Sequence, residues 1–353
     1  MNKHLDIKTL VRQNILDLKP YRSARDDYDS GILLDANENS FGAPFEDTLE
    51  LNRYPMPYQE ELRTKIAAYR GVEPRNIFVG VGSDEAIDLL FRIFCEPRKD
   101  RVLITPPTYG MYKVSSKIND VDVDEVLLTN DFQLQVEETL AKAKKNTKLL
   151  FLCSPNNPSG NSLRADDILR IVDSFQGIVV LDEAYIDFSE QKSFSEEVLK
   201  RTNLVVLQTM SKAFGLAGIR LGVAIASPEI IEFMMKVKAP YNINKLTSQA
   251  ALKGFNSLAV VKEKVEQIKI EREKVIKRLK SIPEIETTFP TDANFLIFKI
   301  NNALDIYKKL ADKGVVIRYR GNEPHCENCL RLTIGTQEEN ERFFEVLQTV
   351  LKN

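Results

Sequence analysis

The chain has 353 residues, too many for one ordinary core and suited to one large plus one small domain. Its 43% hydrophobic and 28% charged residues are the balance of a soluble globular protein, and 49 Lys plus Arg against 51 Asp plus Glu leave a net charge of -2. No long basic run points to nucleic acid or a membrane surface, and no apolar stretch is long enough to span a bilayer.

In chain order, Lys3, Asp6, Lys8, Arg12, Asp17 and Lys19 interrupt any signal-peptide core, so the expected location is cytoplasmic. Residues 1–45 read as an arm that packs with the smaller domain and carries the polar segment Asp35-Ala36-Asn37-Glu38-Asn39-Ser40. From 46 to 250, apolar runs at 77–79, 101–104, 149–153, 178–181, 204–207 and 222–226 alternate with helical patterns. Near-continuous apolar runs predict buried strands, so this is an α/β domain with a mostly parallel sheet flanked by helices. Leu258, Val261, Val265, Ile268, Val275 and Leu279 then form one helical stripe, which Pro283 ends. Strand-like runs at 295–300, 315–317 and 330–334, with helices between and after, predict a smaller α+β domain over 251–353.

The chain has only two histidines, His4 and His325, and no GxSxG, which disfavours Ser-His-Asp and Cys-His hydrolases. Acid-base work falls to Lys, Tyr, Asp or Glu. The cysteines are Cys95, Cys153, Cys326 and Cys329. The last two have CxxC spacing beside His325, but a zinc site needs a further ligand. A structural role is therefore preferred, and no metal is expected.

In open α/β sheets the site lies at the strand carboxyl ends. One run leads into Ser154-Pro155-Asn156-Asn157-Pro158, a rigid turn that is either ordinary or a mount for Asn157. Another ends in Asp182-Glu183-Ala184-Tyr185. A carboxylate after four aliphatic residues is a helix cap or the partner of a ligand cation. A third runs into Thr209-Met210-Ser211-Lys212, with Gly215, Gly218, Arg220 and Gly222 beyond. Most lysines are solvated, but one among small and apolar neighbours loses its proton more easily and suits Schiff-base chemistry. Ser211 and Arg220 are natural phosphate partners. Gly80-Val81-Gly82-Ser83-Asp84-Glu85 is an incomplete dinucleotide fingerprint, its third glycine replaced by Glu85. A glycine turn entering a helix at 86–94 still offers N–H groups to a single phosphate. Lysine, carboxylate, asparagine and phosphate site together form the set that pyridoxal phosphate requires.

These residues resemble the fold-type-I aminotransferases, and in particular the histidinol-phosphate aminotransferase family, over nearly the whole chain. The marks are Leu18-Lys19-Pro20-Tyr21, Leu34-Asp35-Ala36-Asn37-Glu38-Asn39, Asn52-Arg53-Tyr54-Pro55 and Pro106-Pro107-Thr108-Tyr109-Gly110-Met111-Tyr112. The Asn157, Asp182 and Lys212 motifs follow, then Cys329-Leu330-Arg331-Leu332-Thr333-Ile334-Gly335.

The resemblance implies a pyridoxal 5′-phosphate transaminase that passes the amino group of histidinol phosphate to 2-oxoglutarate by a ping-pong route. Lys212 is expected to carry the cofactor and shuttle the proton, and Asp182 to hold the ring nitrogen. Asn157 and Tyr185 would bond the phenolic oxygen, and Tyr109 would stack on the ring. Ser83, Asp84, Thr209, Ser211 and Arg220 would hold the phosphate. Tyr54 would reach the neighbouring subunit's cofactor in a homodimer with shared sites. Arg331 would bind the substrate anion, with Tyr21, Asn37 and Arg318 as companions. Arg320 is read as a solvated strand end. The alternatives within the fold are an aromatic-amino-acid aminotransferase and a threonine-phosphate decarboxylase. A non-catalytic binding domain is disfavoured because the lysine and its partners are all present.

Overall fold

The computed structural model describes residues 5–28 and 30–352, so His4 lies outside the described residues. The apolar runs form β1 (Ile77–Val81), β2 (Arg101–Ile104), β3 (Asp122–Glu125), β4 (Thr147–Cys153), β5 (Ile178–Asp182), β6 (Leu204–Thr209) and β7 (Leu221–Ile225). They make one sheet in the order β1-β7-β6-β5-β4-β2-β3. Only β7 runs against its neighbours, so the sheet is mostly parallel, as predicted.

Side chains alternate across each strand, so one set of runs feeds two cores. Leu150, Leu152, Val179, Leu181 and Val206 enter one. Leu149, Phe151, Val180, Val205 and Leu207 enter the other. This two-sided burial fixes the strand tips, and the β4–β5 register sets Cys153 beside Asp182.

The predicted stripe becomes the helix Leu258–Leu279, with Val261, Val265, Val275 and Leu279 buried. Beyond it, β8 (Ile285–Thr288), β9 (Phe295–Ile300), β10 (Arg318–Tyr319) and β11 (Cys329–Thr333) form an antiparallel sheet in the order β10-β11-β9-β8. Its cluster includes Leu296, Phe298, Leu330 and Leu332 together with Phe343, Phe344 and Leu347 of the helix Gln337–Leu351.

The structure corrects two readings and adds one strand. The run at 315–317 is not a strand, which begins at Arg318 instead. β3 carries three acidic residues and so gives no apolar signal. It forms because Arg101 of β2 answers Asp122 at 2.6 Å and Asp124 at 2.7 Å. The early arm does not pack with the smaller domain. Ile7, Leu10, Val11 and Ile15 are buried in the large-sheet cluster containing Phe91 and Phe94. Two cations secure it there: Arg12 donates to Arg92 O at 3.1 Å, and Lys236 Nζ donates to Ile15 O at 2.7 Å. Among the described residues, no helix is long and apolar enough to cross a membrane.

Candidate active site

A cavity of about 590 Å³ opens at the carboxyl ends of β4, β5 and β6. Its walls bring together Ser83, Asp84, Tyr109, Asn157, Asp182 and Tyr185, and also Thr209, Ser211, Lys212, Arg220, Arg318 and Arg331. Twelve of the expected site residues therefore meet in one place.

Asp182 ends β5 and is almost wholly buried. Burial pushes its carboxyl up to about 6, against the pull of the Tyr112 hydroxyl and the Ala184 N–H. Those donors lie 2.7 Å from Oδ2 and 3.1 Å from Oδ1. The neighbouring Glu183 is equally buried but saturated, accepting from Phe194 N–H at 2.7 Å, Ser193 Oγ at 2.6 Å and Gln208 Nε2 at 2.9 Å. Adjacent residues of one strand end face opposite ways, so Glu183 braces the scaffold and Asp182 meets the cavity.

Lys212 Nζ lies 5.4 Å from the Tyr185 ring centroid. Burial first, and then the charge of Arg331, lower its pKa. Part of the population is thereby shifted toward the neutral amine that a nucleophile requires.

The opposite wall is built for an anion. The helix Gly82–Phe94 starts directly after β1, and its N-cap residue Val81 makes no side-chain cap hydrogen bond. Its free N–H groups and positive end face the cavity through Ser83 and Asp84. Gly82 has φ +71°, and a Cβ there would stand 2.7 Å from Arg220 Nη2. A Cβ on Gly222 would fall 2.1 Å from Ser83 N. These two glycines let the β7 end approach the helix end. Ser211 Oγ receives Thr209 Oγ1 at 3.0 Å and Arg220 Nη1 at 3.3 Å. Tyr109 donates to Asp84 Oδ1 at 3.2 Å.

At the third wall Arg331 Nη1 donates to Asn157 Oδ1 at 2.5 Å, and its guanidinium lies 5.1 Å from the Phe295 ring centroid. Burial, then Arg320, push the Arg331 pKa down to about 10.

The structure does not bring Tyr21, Asn37 and Tyr54 into this cavity. Tyr21 lines a separate groove with Tyr58 and Tyr241. Asn37 and Tyr54 line a third, and Tyr54 stacks on Tyr241 at 4.6 Å. Tyr21 and Asn37 therefore do not accompany Arg331 within one chain. The segment that carries them has almost no regular structure to aim them inward.

Two residues went unassigned in the sequence, and a third, Arg320, is not the solvated strand end expected from it. Tyr112 supports Asp182, Thr108 lines the cavity with a buried Oγ1 that has no partner among the described residues, and Arg320 joins the arginine wall. Tyr112 sits three residues after Tyr109, and that spacing in the same motif was the available signal. No group of three metal-ligating side chains occurs among the described residues, and His325 Nε2 instead lies 3.0 Å from Leu128 O.

A buried carboxylate, a desolvated lysine, a helix N-terminus and an orphaned Thr108 hydroxyl share one cavity. These residues fit pyridoxal phosphate, which combines a basic ring nitrogen, an aldehyde and a phosphate.

Residues 29–347 match the family model described as aminotransferase class I and II. A histidinol-phosphate aminotransferase from Flavobacterium johnsoniae is 48% identical, covering 95% of this chain and 96% of that protein. The crystal structure of the histidinol-phosphate aminotransferase from Clostridium acetobutylicum superposes with TM-score 0.79 at 26% identity, over 86% of this chain and 92% of that one. The Sinorhizobium meliloti histidinol-phosphate aminotransferase, solved in complex with pyridoxal-5′-phosphate, shares the fold with TM-score 0.79 at 21% identity, over 97% of both chains.

Proposed function

We propose that this chain, which belongs to the class I and II aminotransferase family, transfers the amino group of histidinol phosphate to 2-oxoglutarate, giving imidazole acetol phosphate and glutamate in histidine biosynthesis. It is an enzyme, and its cofactor is pyridoxal 5′-phosphate. The observation that carries the substrate reading is that a desolvated lysine, a buried carboxylate and the arginines Arg318, Arg320 and Arg331 line one cavity. The name of the Flavobacterium johnsoniae relative supports the choice of donor.

When bound, the cofactor supplies an electron sink for the charge that develops on the donor's carbon. The chain's residues do the rest. Lys212 would hold the aldehyde; once the donor's amine has replaced it, Nζ would take the proton from the donor's carbon and deliver it to the cofactor's C4′ carbon. Asp182 would face the ring nitrogen, and its charge would favour the protonated ring. Asn157 and Tyr185 would hold the phenolic oxygen, and Tyr109 would cover the ring. Ser83, Asp84, Thr209, Ser211 and Arg220 would cradle the phosphate. Arg331 and Arg318 would bind the anionic end of donor and acceptor in turn, because a guanidinium forks equally well to phosphate and carboxylate.

We further read the chain as a cytoplasmic homodimer in which Tyr54 reaches the partner's cofactor, with a large unit over 46–250 and a smaller one over 251–353. The exposed position of Tyr54, outside its own chain's cavity, supports the shared site.

Stopped-flow half-reactions test the donor. Histidinol phosphate should bleach the yellow holoenzyme with a higher kcat/KM than phenylalanine, and 2-oxoglutarate should restore the colour. A far better rate with phenylalanine would replace this reading with an aromatic aminotransferase. Release of carbon dioxide from threonine phosphate would replace it with a decarboxylase.

A further inference from the structure

Arg318 and Arg331 are direct cross-strand partners on β10 and β11. Cross-strand partners lie on one face of a sheet, and residues two apart on an extended chain share that face. Arg320 follows Arg318 by two, and its N–H still holds the ladder through Cys329 O at 2.9 Å. Three guanidiniums therefore stand on one face, and all three line the cavity.

Among the described residues, the one carboxylate paired with any of the three is Glu323. It lies 3.7 Å from Arg320 Nη1, close enough for an ion pair but too long for a hydrogen bond. Arg320 Nε is buried and has no partner among the described residues. The carboxylates lining the cavity, Asp84 and Asp182, are engaged elsewhere, by Arg220 and Tyr109 in one case and by Tyr112 in the other. Burial lowers the pKa of Arg320, and burial followed by Arg320 lowers that of Arg331. Three crowded cations of this kind repel one another until a multiply charged anion enters.

We propose that Arg320 is a third anion-binding guanidinium which, with Arg318 and Arg331, makes this wall selective for donors ending in a dianionic phosphate monoester over those ending in a carboxylate. The proposal rests on the transaminase reading and adds a specificity residue to it. A phosphate monoester carries close to two charges above a second pKa of about 6, whereas a carboxylate carries one. The third arginine thus adds attraction that a carboxylate only partly returns. Arg331 with Arg318 is enough for the acceptor, and Arg320 separates the two substrates.

The test uses holoenzyme variants Arg320→Gln and Arg320→Lys in half-reactions with histidinol phosphate and with glutamate, and with inorganic phosphate as a competitor of glutamate. For Arg320→Gln, the KM for histidinol phosphate and the phosphate inhibition constant should each rise about 10-fold or more, with kcat little changed. The glutamate half-reaction should change less than about 3-fold, and Arg320→Lys should fall between. The wild-type gain in affinity for histidinol phosphate between pH about 5 and about 7 should shrink in Arg320→Gln. Equal losses with both donors, or no loss with either, would overturn the proposal. If wild type ignores histidinol phosphate yet phosphate competes with glutamate and Arg320→Gln relieves that competition, the donor assignment fails and Arg320 keeps its role. If phosphate does not compete in wild type, the proposal fails by itself.

Discussion

At the end of β5 two carboxylates are buried and answered from within the chain, whereas around Glu38 the chain answers a shielded charge but leaves neighbouring apolar groups outside. Asp182 is 3% exposed and held by Tyr112 and Ala184. In the arm, the side chain of the half-buried Glu38 is shielded by its partners. It accepts Arg25 at 2.6 Å, Arg53 at 2.9 Å and the Tyr54 N–H at 2.6 Å. Around that polar knot, however, Ile32 is 91% exposed, Leu34 78% and Phe41 fully. Apolar exposure on this scale marks an interaction surface. The comparison separates two kinds of preorganisation. The strand tips are shaped by two cores of the same chain. The arm is stiffened by one carboxylate and leaves its apolar side exposed, where the proposed dimer would cover it with a second copy.

The largest effect should come from the strand tips. Lys212→Ala should lower transamination by about 10⁴-fold or more while the protein stays folded, since Lys212 carries the proton transfer. Borohydride reduction of the wild-type holoprotein and peptide mapping should place the pyridoxyl label on Lys212. A label on another lysine would sink the assignment.

Asp182→Asn comes next, with kcat lower by about 10²-fold or more. It should also change apoprotein stability, and the sign is set by the raised carboxyl. With its pKa at about 6 in the fold against an ordinary 3.8, Asp182 binds its proton more tightly when folded. Wild-type apoprotein should therefore lose stability as pH rises from about 4 to about 6, on the order of 1–3 kcal/mol. Urea denaturation should show this slope in wild type and not in the Asn variant. A variant with near-normal kcat would show that the ring nitrogen needs no anion here.

The arm is tested by mixing Tyr54→Ala with Lys212→Ala protomers. On the shared-site reading each heterodimer regains one intact site, so the mixture should recover roughly a quarter of wild-type activity. Activity no higher than that of either parent would end the shared-site claim.

The smallest effect should be that of Glu38→Gln, which leaves the catalytic cavity intact but loosens the knot. Burial opposes the Glu38 charge, but the Tyr54 N–H, Arg25 and Arg53 outweigh it and hold the carboxyl below the usual range. Its contribution is therefore present above the ordinary carboxyl pKa and is lost as pH falls through the depressed one. The variant should weaken dimerisation a few-fold at pH about 7 by sedimentation, and the difference from wild type should vanish in strong acid. Unchanged association at neutral pH would show that the knot does not order the arm.

The chain's own pattern determined the α/β class, the long amphipathic helix and most of the strand-tip residues. Each of these depends on local information: a hydrophobic period, or a polar residue abutting an apolar run. Asp182 was legible because four aliphatic residues precede it, and Lys212 because glycines and small residues surround it. β3 was not, because Asp122 and Asp124 are neutralised by Arg101 from another strand. The helix start at Gly82 rather than near residue 86 was settled by close approach to β7. Only the tertiary structure showed what occupies Glu183, which the Phe194 N–H, Ser193 and Gln208 turn into a scaffold brace. It alone placed Ile7–Thr9 and its neighbours against the large sheet, kept Tyr21 out of the cavity and brought Arg320 into it. Those outcomes depend on pairings between residues far apart in the chain, and a linear pattern carries no record of which distant donor meets which acceptor.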